Sequence, residues 1–268
     1  MRNNVAGVVI LYVLVLAACA PKGETARGAP PQPKEIIDLG ALVTADLPER
    51  VWGKALLAEM KFDRPNSFDV LRWEWKTEAG SFRGSNAYYT LFNHGGPHVD
   101  APNHMGLGGG IDSLAMESFA GPLKVFDVRR FPKGRSVPVD VFRDAVAPGD
   151  IVLIYTGYTP PPTDDAYPET ITLSPEAAEY LASLPVRAFG TDAFSVANLQ
   201  DKTPVESETV VARAVPIHHA FLSRGIPIYE QLSNVDKLID KKNMYFVGAP
   251  LNIRDGDGMI VRPAVLVY

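Results

Sequence analysis

Cysteine is almost absent from this chain: among 268 residues only Cys19 carries a thiol. No internal disulfide can form, and no second thiol is available as a nucleophile. The Gly-x-Ser-x-Gly turn that exposes a nucleophilic serine is missing as well. The glycine run Gly106-Leu107-Gly108-Gly109-Gly110 lacks the Lys-Ser/Thr of a phosphate-binding loop and the helix that follows a dinucleotide fingerprint, so it reads as a mobile loop. Charge of one sign is not concentrated anywhere. The net charge is −5 with basic residues dispersed, which excludes the basic face that nucleic acid needs. The apolar run from Val5 to Leu16 is too short for a comfortable membrane span, and no internal repeat is visible.

Histidine is scarce too, and its placement is informative. All five histidines fall in two short stretches that also carry carboxylates. The first reads His94-Gly95-Gly96-Pro97-His98-Val99-Asp100-Ala101-Pro102-Asn103-His104, and the second is His218-His219, followed by Gly225 and Glu230. Histidine used only for packing would be scattered. Imidazole and carboxylate together suit zinc, manganese and iron, and a carboxylate can bridge two ions.

The N-terminus reads as a targeting segment. Met1-Arg2-Asn3-Asn4 is a basic start, the apolar run follows, and Leu16-Ala17-Ala18-Cys19 resembles a bacterial lipobox. Residues 1–18 are therefore expected to be a lipoprotein signal peptide, with lipidation at Cys19. Ala20 stands where an inner-membrane retention signal would place aspartate, which favours the outer membrane on its periplasmic face. Residues 19–34, rich in Pro, Gly, Ala and Lys, form a flexible tether, and residues 35–268 form one folded domain.

Strand signals outnumber helix signals in that domain, which reads as mixed α/β. Strands are expected over 87–93, 123–128, 150–156, 186–190, 226–232, 243–249 and 259–268. Ser174 caps a helix through Leu184 with Pro175 at its first position, and a short helix from His218 to Ser223 ends before Gly225. Trp73 and Trp75 alternate with Glu74 as in a half-buried strand, which points to core or interface packing. In an extended backbone His98 and Asp100 share a face, and a turn at Gly95-Gly96 brings His94 to the same ion.

The first stretch resembles the H-x-G-T-H-x-D-x-P-x-H signature of the metal-dependent cyclase-like hydrolases, the family of bacterial kynurenine formamidase and isatin hydrolase. His94, Gly96, His98, Asp100, Pro102 and His104 match it. Gly121-Pro122, Tyr155-Thr156-Gly157-Tyr158, Gly190-Thr191-Asp192, Gly248-Ala249-Pro250-Leu251 and Asp255-Gly256-Asp257-Gly258 resemble further landmarks. The resemblance implies a swivelling β/β/α domain of mixed sheets and short helices, usually a homodimer or larger assembly. It implies two divalent ions, zinc or alternatively manganese, with His94 and His98 on one, His218 on the other, and Asp100 and Glu230 bridging. It gives His104 the acid/base role, places a substrate-contacting aromatic near Trp52, and leaves His219 a packed or exposed helix residue. Two departures stand out: Pro97 replaces the signature threonine, and Met105 stands where the family often has Phe.

The expected chemistry follows. A bound divalent ion lowers the pKa of its water from near 16 towards about 7. Metal-bound hydroxide would cleave a small amide, cyclic amide or imide, or lactone, in arylformamidase-like fashion, with His104 as acid/base. Formylkynurenine, the substrate best known for the family, is made in the cytoplasm, and the signal sequence argues against it. The alternative reading is a non-catalytic envelope module that binds metal or a small ligand.

Overall fold

The near-continuous apolar run after Pro148-Gly149 becomes the buried strand that the sequence predicts, and it lies at the middle of a nine-stranded sheet. The structure, a computed structural model, describes residues 31–59, 61–62, 64–159, 170–197 and 210–268. The expected signal peptide, Cys19 and most of the tether lie outside the described residues. Among the described residues no helix is long and apolar enough to cross a membrane. Residues 33–268 form a compact unit.

In chain order, β1 (Glu35–Asp38) precedes two short helices, α1 (Leu47–Trp52) and α2 (Lys54–Glu59). A long hairpin follows, β2 (Ser67–Thr77) and β3 (Gly80–Thr90), then β4 (His98–Asp100), β5 (Ala120–Asp127), β6 (Ser136–Val137), β7 (Ile151–Tyr155) and β8 (Thr172–Leu173). The remainder is α3 (Pro175–Ser183), β9 (Ala188–Thr191), α4 (Val210–Leu222), β10 (Ile228–Glu230), β11 (Met244–Val247), β12 (Gly258–Ile260) and β13 (Ala264–Val267). The large sheet runs β1-β13-β11-β5-β7-β9-β10-β4-β12. Its centre, β5-β7-β9-β10, is parallel, and the flanking pairs are antiparallel. This is the mixed α/β architecture read from the sequence.

Period-two alternation divides the core between the two faces of the sheet. Val152, Ile154, Phe189 and Ile228 join the apolar faces of α3 and α4, where Phe189 stacks on Phe221 at 4.9 Å. Ile151, Leu153, Ala188 and Tyr229 face the other way, against Phe246 and Val265. Parallel strands buried on both faces need apolar residues at every position, which is why β7 shows no polar alternation. Helix α3 begins as expected: the Ser174 side chain accepts a hydrogen bond from the Ala177 N–H, and Pro175 fills the first turn.

Five expectations change. The strand expected over 87–93 ends at Thr90 and belongs to the β2–β3 hairpin, so His94 sits in a turn and not on a strand. The strand expected over 259–268 is two strands, broken around Pro263, whose missing N–H cannot continue the ladder. Helix α4 begins at Val210 and continues through Pro216, well before the expected start at His218. The glycine run is a set of tight turns fastened to the 255–256 turn, with Ile111 N–H bonded to Gly256 O and Asp255 N–H to Asp112 Oδ1. Trp73 and Trp75 are also not in the core: they are 44% and 70% exposed on the hairpin.

Candidate metal centre

Sheet register builds the site. Strand β4 pairs antiparallel with β10, setting His98 opposite Glu230 and Asp100 opposite Ile228. Val99 and Tyr229, between these positions, enter the core on one face of the sheet. His98, Asp100 and Glu230 therefore share the other face, the one that α4 covers, and α4 supplies His218. The turn before β4 supplies His94. Gly96 has φ of +135°, a conformation costly for any residue with a Cβ, and it lets the chain double back as expected from the sequence. His104 lies on the 3-10 turn Pro102–Met105 that follows β4.

These side chains converge. Asp100 Oδ1 lies 2.9 Å from His94 Nδ1 and 3.2 Å from His98 Nε2. Asp100 Oδ2 lies 3.8 Å from His218 Nε2. Glu230 spans the same gap, with Oε2 at 3.6 Å from His98 Nε2 and Oε1 at 3.4 Å from His218 Nε2. The His104 ring is 4.4 Å from that of His94 and 5.6 Å from that of His218, centroid to centroid. Two overlapping groups, His94-Asp100-His104 and His98-Asp100-Glu230, each present ligand atoms within 4.8 Å of one another. His104 is thus within ligand reach as well as within proton-transfer reach of the others.

Does this donor set fit a metal? Both oxygens of Asp100 are buried, and neither receives a hydrogen bond. The nearby imidazole nitrogens approach at short distance without hydrogen-bond geometry. A buried carboxylate left this way is strongly unfavourable unless a cation compensates it. Nitrogen and oxygen atoms each about 2.0–2.2 Å from one ion lie roughly 3.3 Å apart, the spacing found here. His98 Nδ1 faces the Gly96 carbonyl at 2.8 Å and can only donate to it, so its Nε2 lone pair points at the carboxylates. The residues fit divalent cation binding.

The electrostatics say the same. Burial opposes a charge on His94, yet the Asp100 and Asp257 carboxylates at its two ring nitrogens outweigh burial and raise its pKa to about 10. The proton is drawn in by excess negative charge, which a cation would also satisfy. Burial pushes the Asp100 pKa up, but His104, His98 and His94 hold it well below the usual carboxylate range. His104 shifts the other way: burial lowers its pKa against the pull of Asp100, and His94 and His218 add to the lowering. Its imidazole is therefore neutral at neutral pH and able to accept a proton.

Supporting residues to which the sequence reading gave no role complete the site. Asp257 Oδ2 lies 3.0 Å from His94 Nε2, and Asn93 Nδ2 donates to Asp257 Oδ1 at 2.8 Å. Val196 N–H and the Ser195 hydroxyl donate to Glu230 Oε1 at 2.7 and 3.2 Å. The buried Gln231 side chain accepts from Gly96 N–H and donates to the carbonyls of His94 and Phe194. Gly258, opposite Asp100 on β12, leaves the space the His94 ring occupies, since a Cβ there would stand 2.5 Å from His94 Cε1. Asp257 appears in the sequence only as part of a turn landmark, and nothing local ties it to His94. Replacing Asp257 by Asn should weaken divalent metal affinity about 10- to 100-fold, as for other carboxylates that orient a ligating histidine. Competition with a chromogenic chelator measures this, and an unchanged affinity would remove Asp257 from that role.

The remaining sequence-stated residues are also placed. Trp52 donates its indole N–H to the His94 carbonyl at 2.8 Å and packs edge-on against Phe92 and Phe194. It therefore braces the first motif. His219 is exposed, as expected for a residue on the outer side of α4. Pro97 is buried and its carbonyl accepts from Val261 N–H, while Met105 packs against the core beneath α3 and α4.

Comparison with known proteins gives the family. The Cyclase family model matches residues 37–198, a span that contains the first histidine stretch and stops before His218 and Glu230. A kynurenine formamidase of Salinibacter ruber is 30% identical over 197 residues, 72% of this chain and 85% of that protein. One from Geobacillus thermodenitrificans is 30% identical over 206 residues, 76% of this chain and 88% of that protein. Isatin hydrolase A from Labrenzia aggregata shares the fold, with a TM-score of 0.65 at 21% identity, covering 87% of this chain and 93% of that chain. A family model matching more than half of the sequence, and full-length relatives at this identity, lead to one conclusion: the chain belongs to the Cyclase family of metal-dependent hydrolases.

Proposed function

We propose that this hydrolase cleaves the C–N bond of a small amide, cyclic amide or imide, or opens a lactone, using a divalent metal centred on Asp100. The single observation that carries the reading is the buried Asp100 carboxylate, neither oxygen held by a hydrogen bond in good geometry, among four histidines and Glu230. In this reading His94 and His98 would hold one ion and His218 a second, with Asp100 and Glu230 available to both. Zinc is the first candidate and manganese the alternative. A divalent ion held there acidifies a water and polarises a carbonyl.

The chain's own groups do the rest. Asp100 and Glu230 fix the negative charge that orients the centre, and Ser195 and Val196 keep Glu230 from turning away. His104, neutral at neutral pH, accepts a proton and returns it to the leaving nitrogen or oxygen. Trp52, whose N–H is committed to His94, offers a substrate only its ring, and with Phe92 and Phe194 forms an aromatic wall beside the centre. The relatives' names support an amide substrate: those at 30% identity are named kynurenine formamidases. The lipobox at Cys19 supports a lipid-anchored enzyme on the periplasmic face of the cell envelope, with the outer membrane favoured.

The test is hydrolysis of N-formylkynurenine, isatin and a panel of cyclic imides and lactones, with and without chelator. Turnover of at least one amide or imide should vanish with chelator and return with zinc or manganese. A metal-loaded chain inert on the whole panel would favour a binding module instead.

A further inference from the structure

Antiparallel strands usually send apolar side chains to one face of the sheet and polar ones to the other. On β1, β13 and β11 both faces carry apolar residues. Ile37, Val265 and Phe246 point inward and are buried in one cluster with Val99 of β4. Strand β4 is eighth in an order that begins with β1, so the sheet curls around that cluster and its other face is convex. On this outer face the register lines up Ile36, Leu266, Tyr245 and Pro122 across four neighbouring strands. Val247, two residues beyond Tyr245, shares their side. Over β7, β9 and β10 the same face is covered by α3 and α4, and Val152, Phe189 and Ile228 are buried there. Ile36 is 63% exposed and Val247 39%, so that cover stops short of β1 and β11.

Charge suits the open stretch to one kind of cover. Lys34 and Lys124 lie one alternation beyond Ile36 and Pro122, and both are exposed. Asp38, on the same side as Ile36, is bonded by Arg262 at 2.7 Å. The turn into β11 adds Asp240, Lys241 and Lys242, with Lys241 on Glu35 at 2.6 Å. The face is therefore locally basic on a chain of net charge −5. Lysines around apolar side chains, with a tyrosine among them, match an anionic phospholipid surface: the ring enters the acyl boundary and the charges meet the headgroups. Packed two-fold on a second copy, the same lysines would meet like charge.

The chain's own course brings such a surface close. Strand β1 is the first of the fold and belongs to this face, and Lys34 just before it donates its N–H to Val267 O. Cys19 stands fifteen residues upstream of Lys34, a reach of at most about 50 Å. A lipid at Cys19 therefore holds the face at high effective concentration against the bilayer. Resting on the reading that Cys19 is lipidated, we propose that the outer face of β1, β13 and β11 docks on the anionic phospholipid surface to which the lipid fastens the chain. The lipid keeps the enzyme at the membrane, and this face sets its orientation there.

The full chain, made in bacteria with its leader and reconstituted at about one chain per vesicle, tests this. Mass spectrometry of the N-terminal peptide reads the lipid on Cys19. Hydroxyl-radical footprinting reads the face. Tyr245 and Leu266 should react at least ~5-fold more slowly on phosphatidylglycerol vesicles than on pure phosphatidylcholine vesicles, while Trp75 and Tyr88 on the hairpin keep their rates. Lys34→Glu/Lys124→Glu should abolish that difference, with lipidation, circular dichroism and chelator-sensitive hydrolysis unchanged. An unlipidated Cys19 would overturn the anchor and this proposal together. A lipidated chain whose Tyr245 and Leu266 react alike on both lipids would overturn the proposal alone, as would protection that survives in the charge-reversed chain. Protection that arises only on vesicles crowded with protein would make a second copy the cover and overturn it as well.

Discussion

An Asp100→Asn chain is expected to purify without metal and to hydrolyse amides no faster than the background. Asparagine keeps the volume of the side chain, so the β4–β10 register and the surrounding packing are retained. It removes the negative charge and replaces one acceptor with an N–H₂ donor directed at the imidazole nitrogens. Both Asp100 oxygens matter, because Oδ1 faces His94 and His98 while Oδ2 faces His218. Loss of one residue should therefore empty the whole centre. Elemental analysis reads the metal content, and thermal unfolding gives an independent readout. A ligand that binds only the native state at a thousandfold excess over its Kd stabilises by about 4 kcal/mol, or roughly 10 °C for a domain of this size. The unaltered chain should show that rise with zinc or manganese, and the Asp100→Asn chain should show none. A variant that still gains stability from the metal would refute the placement of Asp100 at the centre.

The second large effect is expected at His104 and has the opposite metal signature. His104→Ala should lower kcat about 10²- to 10⁴-fold, the range for loss of a general acid/base, while metal stoichiometry stays that of the unaltered chain. The expectation is sharp because the structure permits a second role. His104 offers a nitrogen within 4.8 Å of the His94 and Asp100 ligand atoms, so it could also be a ligand. Metal loss parallel to activity loss would make it one. Retained metal, with partial rescue of turnover by added imidazole, would assign it to proton transfer. Its neutrality follows from burial and from the neighbouring His94 and His218. Loss of the base should therefore remove the limb of the pH–rate profile that belongs to His104.

How much of this is legible in the sequence depends on the range of each interaction. The donors from His94 to Asp100 are local. Alternation along an extended strand puts His98 and Asp100 on one face, and Gly96 with φ of +135° provides the turn that returns His94. Spacing within eleven residues suffices for that part of the site. Helix α3 is likewise local, since the Ser174 cap and Pro175 act on the adjacent turn. His218 and Glu230 are reached only through the family resemblance, because no short-range pattern links them to His98. Gln231 carries no local signal at all, and Asp257 only its place in a turn landmark.

The sequence by itself determined the chemistry available: one thiol, five histidines in two stretches, carboxylates beside them, and an alternating Trp73-Glu74-Trp75 segment. These depend on residue identity and on backbone periods of a few residues. Only the tertiary structure decided which groups meet. The β4–β10 pairing set Glu230 against His98, the packing of α4 over that sheet face brought His218 to Asp100, and β12 left at Gly258 the space filled by His94. It also decided that the two tryptophans face outward and not into the core. Alternation shows that one side of a strand needs cover. What provides that cover depends on contacts between segments far apart in the chain.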